Sequence, residues 1–173
     1  MKLTLSSPGE LITRLMFFEW AYGCLGEGDN DIGPLAEFLV GTALKRLPAR
    51  RKAQGVYDLV TESGTTLEIK ATSRMISVGK GKKMWRWTIR DQKQSFDGKH
   101  KIADWWIFLK AEFPPELSSQ RFFNVFDPAY WTAYLVRGEA LLATKVRVHA
   151  SEVTLRRAGA ITCTIPELAK FIV

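Results

Sequence analysis

The chain has 173 residues, 46% hydrophobic and 25% charged, which suits one domain with its own core. No apolar run approaches membrane-spanning length, and "MKLTLSSPGELITRLMFF", with Glu10, lacks the form of a signal peptide, so a cytoplasmic protein with no membrane association is expected. The net charge is +7, and residues 71–110 hold ten Lys and Arg against three Asp, so this stretch alone accounts for the excess.

In chain order, residues 8–25 suit a helix with Ser7 as N-cap and Pro8 in the first position. "GEGDNDIGP" follows as a loop. "PLAEFLVGTALKRL" predicts a second helix over 34–47, ending near Leu47-Pro48, and "ARRKAQG" a basic connection. Glu37 is the only charged residue between Ile32 and Leu44, so this helix is expected to be buried almost all round. A lone buried carboxylate needs a partner. Glu37 therefore either pairs with an arginine of "ARRK" or points at the acidic residues that come next.

Those residues lie in "YDLVTESGTTLEIKA", residues 57–71, which predicts a strand hairpin. Side chains alternate along a strand, so Glu68 and Lys70 share one face and Leu67, Ile69 and Ala71 the other. A two-residue Ser63-Gly64 turn would place Asp58 and Glu68 on opposite faces. A three-residue Glu62-Ser63-Gly64 loop with Gly64 left-handed opposes Thr61 to Thr65 and Asp58 to Glu68. The second register, or an equivalent bulge near Asp58, is expected. Two adjacent carboxylates repel, and a hard cation such as Mg²⁺ relieves them through oxygen ligation. Such an ion acidifies a water for attack on a phosphodiester, and a lysine alongside orients that water or neutralises developing charge. The plainer alternative is an exposed polar strand face.

Downstream, "ATSRMISVGKGKKM" ends in a loop rich in glycine and lysine, "WRWTIR" alternates like a strand, and "DQKQSFDGKHKI" suits a short helix or long loop. "ADWWIFLKA" is a clear strand. "EFPPELSSQ" is expected as loop, "RFFNVF" and "TAYLV" as strands, "DPAYW" as a turn and "KVRVHA" as a possible strand. "TIPELAKFI" predicts a terminal helix capped by Thr164, with Pro166 in its first turn. The order predicts a mixed α/β (α+β) domain around one sheet. Arg74, Lys80, Lys82, Lys83, Arg86, Arg90 and Lys93 make the basic segment a candidate surface for a phosphate backbone, "GKGKK" being a plausible clamp. Trp85 and Trp87 share a strand face suited to core or to stacking on bases, core being the commoner fate. Cys24 and Cys163 form no metal or redox spacing and are expected as reduced thiols. Two distant histidines, His100 and His149, argue against a zinc site or a histidine base.

Glu37 on a helix, then Asp58, then Glu68-x-Lys70, resembles the PD-(D/E)XK nuclease superfamily. The stretches "GPLAEFLVGTAL", "VYDLV", "GTTLEIKATS" and "ADWWIFL" are similar to those of small bacterial restriction-endonuclease-like proteins. The likeness covers residues 33–110, and Tyr57 stands where the superfamily's name has proline. It implies one nuclease-like domain over 1–173, with a restriction-endonuclease-like mixed sheet flanked by helices, a core at about 33–110 and an extension over 111–173. It implies Asp58, Glu68 and Glu37 as ligands of Mg²⁺ (or Mn²⁺), Glu37 directly or through water, and Lys70 as the catalytic lysine. Gln92 and Gln94 are alternatives for a glutamine that some members add. The implied activity is a Mg-dependent DNA endonuclease in restriction, defence or DNA repair and recombination, paired as a homodimer or with a partner subunit if it cuts both strands. An inactive DNA-binding or assembly subunit is the competing expectation.

Overall fold

The computed structural model describes residues 32–45, 57–89, 102–113, 127–146 and 148–172. Its centre is "WWIFLKA", strand β5 (Trp105–Ala111). An uninterrupted apolar run of this kind requires cover on both faces. Trp105, Ile107, Leu109 and Ala111 enter one core cluster, while Trp106 and Phe108 enter another. The main sheet also contains β1 (Leu59–Val60), β2 (Thr66–Thr72), β6 (Trp131–Arg137) and β8 (Ile161–Cys163), in the order β1-β2-β5-β6-β8. Strands β2 and β5 run parallel and the other neighbours antiparallel, so the sheet is mixed. Strands β6 and β8 thus place part of the final third of the chain within the sheet that carries Glu68 and Lys70.

Helix α1 (Ile32–Ala43) covers the first face with Ala36, Phe38, Leu39 and Val40, packed with Leu67 and Ile69 of β2. It begins two residues before the expected Pro34, which lies in the first turn, where a missing N–H costs no helical bond. It also stops short of Leu47: Leu44 N–H donates to Val40 O, Lys45 N–H to Thr42 O, and Lys45 turns left-handed at φ 55°.

A second, three-stranded sheet, β3 (Met75–Ser77), β4 (Lys83–Thr88) and β7 (His149–Ser151), covers the other face. Trp87 joins the two sheets. Its ring is 1% exposed, its Nε1 donates to Leu109 O at 2.8 Å, and it meets Phe108 and Tyr134 edge-on at 5.7 Å. Trp105 and Trp106 are also buried, and Trp85 is half-buried beneath the Lys110 ammonium, so these rings serve packing. Among the described residues of "KVRVHA", His149 and Ala150 form strand, as the first two residues of β7. The sequence reading missed helices α2 (Gly138–Ala143) and α3 (Glu152–Arg157), each six residues long, and strand β8. Elements of one or two turns carry too little periodicity to register. "DPAYW" is a 3₁₀ turn over Pro128–Tyr130, capped by the Asp127 carboxylate on Ala129 N–H. The expected helix at 8–25 and strand at 121–126 lie outside the described residues. No helix among the described residues is long and apolar enough to cross a membrane.

The last element, Ile165–Lys170, is a 3₁₀ helix rather than an α-helix. Glu167 accepts from the Thr164 N–H and hydroxyl, both at 3.0 Å, and from Lys170 Nζ at 3.1 Å. The backbone bond from Thr164, then Lys170 and the Thr164 hydroxyl, hold the Glu167 carboxyl down at about 2, from 4.5. Because its folded value is depressed, its contribution to stability is present above pH 4.5 and fades as pH falls towards 2. Glu167→Gln is therefore expected to flatten the acid limb of the stability profile below pH 4.5, as read by urea unfolding. Cys163, at the edge of this element, is buried, and burial lifts its thiol to about 11, consistent with an inert thiol.

Candidate active site

The hairpin takes the register that aligns its carboxylates. Leu59 pairs with Leu67 and Val60 with Thr66. Thr61 N–H donates to Thr65 O at 2.9 Å, and Gly64 N–H to Thr61 O at 3.0 Å, with Gly64 left-handed at φ 86°. The loop is thus the three-residue Glu62-Ser63-Gly64 turn, and a glycine at its last position takes the positive φ without a Cβ clash. Hydroxyls tighten it: Ser63 Oγ lies 2.8 Å from Thr61 Oγ1 and 3.1 Å from Thr65 Oγ1. Continued by one pair, the register sets Asp58 opposite Glu68. Asp58 lies just before β1, and its Oδ2 accepts the Ile69 N–H at 2.7 Å. A side-chain carboxylate thereby continues the ladder, which fixes Asp58 at the edge of β2.

Asp104, just before β5, holds the other side of the hairpin. Its Oδ2 accepts from both the N–H and the hydroxyl of Thr66 at 2.8 Å, and its own N–H donates to Thr66 Oγ1. Its role depends on the β2–β5 pairing, so nothing in the local sequence marks it.

Lys70 meets both hairpin carboxylates. Its Nζ lies 2.5 Å from Glu68 Oε1 and 3.9 Å from Asp58 Oδ2. The three side chains are 19–28% exposed, enough protection for their charges to interact more strongly than surface pairs do. Burial disfavours the Lys70 ammonium, but Asp58, Glu68 and, from α1, Glu37 outweigh it and hold its pKa above 10.5. At neutral pH Lys70 is a fixed cation. Glu37 is half-buried rather than sealed in the core, since its side of α1 opens onto a cleft.

That cleft, about 630 Å³, is lined by Glu37 and Lys70 and also by Arg74, Arg86, Thr88 and His149. Asp58 and Glu68 do not line it and communicate with it through Lys70. Of the expected backbone contacts, Arg74 and Arg86 therefore reach the cleft. Lys80, Lys82 and Lys83 are exposed on the β3–β4 hairpin, where Gly79, Lys80 and Gly81 all have positive φ, and they do not line the cleft. Arg90, Lys93, Gln92, Gln94 and His100 lie outside the described residues. Lys110 is engaged elsewhere, with Glu112 at 2.8 Å and Glu152 at 3.5 Å. Thr88 and His149 escaped sequence reasoning, because β7 joins β4 only in the tertiary structure.

Among the described residues, no three His, Cys, Asp or Glu side chains are gathered into a group that could hold a metal ion as they stand. Lys70 occupies the position between the two hairpin carboxylates. The donor chemistry nevertheless fits a hard cation, because Mg²⁺ binds one or two carboxylates and completes its shell with water and phosphate oxygens. No protein-family model matches the chain, and no curated protein matches it.

Proposed function

We propose that the chain is a metal-dependent endonuclease that hydrolyses DNA phosphodiester bonds, acting in the cytoplasm, with a PD-(D/E)XK type of site on a restriction-endonuclease-like core. One observation carries the reading: the hairpin brings Asp58, Glu68 and Lys70 together, and Glu37 acts on the same lysine from α1. The mixed sheet with α1 packed against β2 accords with the proposed core. Asp58 and Glu68, with Glu37 directly or through water, would hold Mg²⁺ (or Mn²⁺), which supplies an acidified water and offsets charge on the phosphate.

The remaining chemistry belongs to the chain. A lysine held protonated does not accept the proton of an attacking water. It donates: Lys70 orients the water or meets the negative charge that grows on the phosphate oxygens. Asp58 keeps the β2 edge in place through Ile69 N–H, and Arg74 and Arg86 place positive charge along the approach.

The alternative, a DNA-binding or assembly subunit without turnover, is favoured by the lack of a gathered three-donor set among the described residues. Incubating supercoiled, linear and single-stranded DNA with the protein and Mg²⁺ or Mn²⁺ separates the two. Wild type is expected to cut and Asp58→Ala to lose at least about a hundredfold in rate. Equal cutting by the two proteins would sink the assignment, and binding without cutting by wild type would favour the alternative.

A further inference from the structure

Strand β4 gives its two faces different surroundings. Trp85 and Trp87 pack on the second core cluster, so alternation puts Arg86 and Thr88 on the opposite face. The antiparallel register pairs Thr88 with His149 of β7, with Thr88 Oγ1 3.5 Å from His149 Nδ1. Arg86, Thr88 and His149 line the same cleft as Lys70, and Arg74 joins them from the turn between β2 and β3.

Among the described residues neither arginine forms an ion pair, whereas Lys70, Lys110 and Lys170 each have carboxylate partners. Two guanidiniums lining one cleft offer an incoming anion two cationic partners. Their planar donor forks match phosphate oxygens, and a hydroxyl and an imidazole alongside add hydrogen bonds. Among the described residues the lining contains no Phe, Tyr, Trp, Asn or Gln, so the described wall is suited to gripping a phosphate rather than to stacking on a base.

We infer that Arg74, Arg86, Thr88 and His149 form a phosphate subsite that grips the DNA backbone beside the bond presented to Lys70. The identity of the polyanion rests on the nuclease reading; the subsite itself is a statement about binding. It draws on β7, a segment that the family resemblance does not cover.

The test separates binding from cleavage. The full chain and its Arg74→Ala, Arg86→Ala and His149→Ala variants are titrated in EDTA against two fluorescein-labelled DNA duplexes of unrelated sequence, over a range of salt. Each arginine variant is expected to bind at least about tenfold more weakly, the loss of a charge-assisted hydrogen bond. The slope of log K against log salt falls by about one per arginine, equally for both duplexes. His149→Ala costs about threefold, in line with a neutral hydrogen bond. Urea midpoints equal to wild type exclude misfolding as the cause. Arginine variants that bind within about twofold of wild type, or lose affinity for only one duplex, overturn the subsite. A parallel Mg²⁺ and Mn²⁺ cleavage assay locates the failure. Arginine-dependent binding with no cutting by wild type upholds the subsite and removes the nuclease reading. Cutting at wild-type KM by both arginine variants does the reverse.

Discussion

Lys70→Ala is expected to lower metal-dependent DNA cleavage by at least about a hundredfold while leaving DNA affinity within about threefold of wild type. The ammonium sits against Glu68 and within 4 Å of Asp58, and three carboxylates hold its pKa above the ordinary lysine value. Its removal deletes the positive charge nearest the proposed reaction and leaves the carboxylates facing one another. Stability should fall by about 1–2 kcal/mol at neutral pH, less than for a sealed ion pair because residual exposure screens the charges. Mg²⁺ should restore part of that loss in the variant, read as a rise in melting temperature.

The pH dependence has a definite sign. A lysine whose folded pKa is raised contributes stability that is fully present below 10.5 and lost as pH rises through the folded value. Wild type should therefore weaken above pH 10.5, and Lys70→Ala should lack that component. A variant as stable and as active as wild type would remove both roles.

Trp87→Ala is expected to cost about 3–5 kcal/mol in urea unfolding, the range for deleting a fully buried ring. The ring fills the junction between the sheets against Phe108 and Tyr134, and its N–H donates to the Leu109 carbonyl. Trp87→Phe keeps much of the apolar volume but loses the Nε1 donor to Leu109 O, so about 0.5–1.5 kcal/mol is expected for the lost hydrogen bond. Because Arg86 and Thr88 lie on the same strand, loosening β4 should also weaken DNA binding. Equal losses from the alanine and phenylalanine variants would mean that the hydrogen bond, not the packing, joins the sheets.

The hairpin was legible because its determinants are local. Period-two alternation placed Glu68 and Lys70 on one face, and Ser63-Gly64 after Glu62 selected a three-residue loop, which set Asp58 opposite Glu68. The core role of "WWIFL" was legible for the same reason: a continuous apolar run admits few alternatives to a strand covered on both faces. The extent of α1 was not, since its end depends on a left-handed Lys45 that no propensity signals.

The sequence by itself determined the acidic hairpin with its lysine and the central strand behind it, because turn chemistry and alternation act over a few residues. Only the tertiary structure decided what shares space with Lys70. Thr88 and His149 are 61 positions apart and meet through the β4–β7 ladder, while β6 and β8 complete the sheet from the far end of the chain. Pairings at that separation depend on the collapse of both core clusters against β5, and no local pattern encodes them.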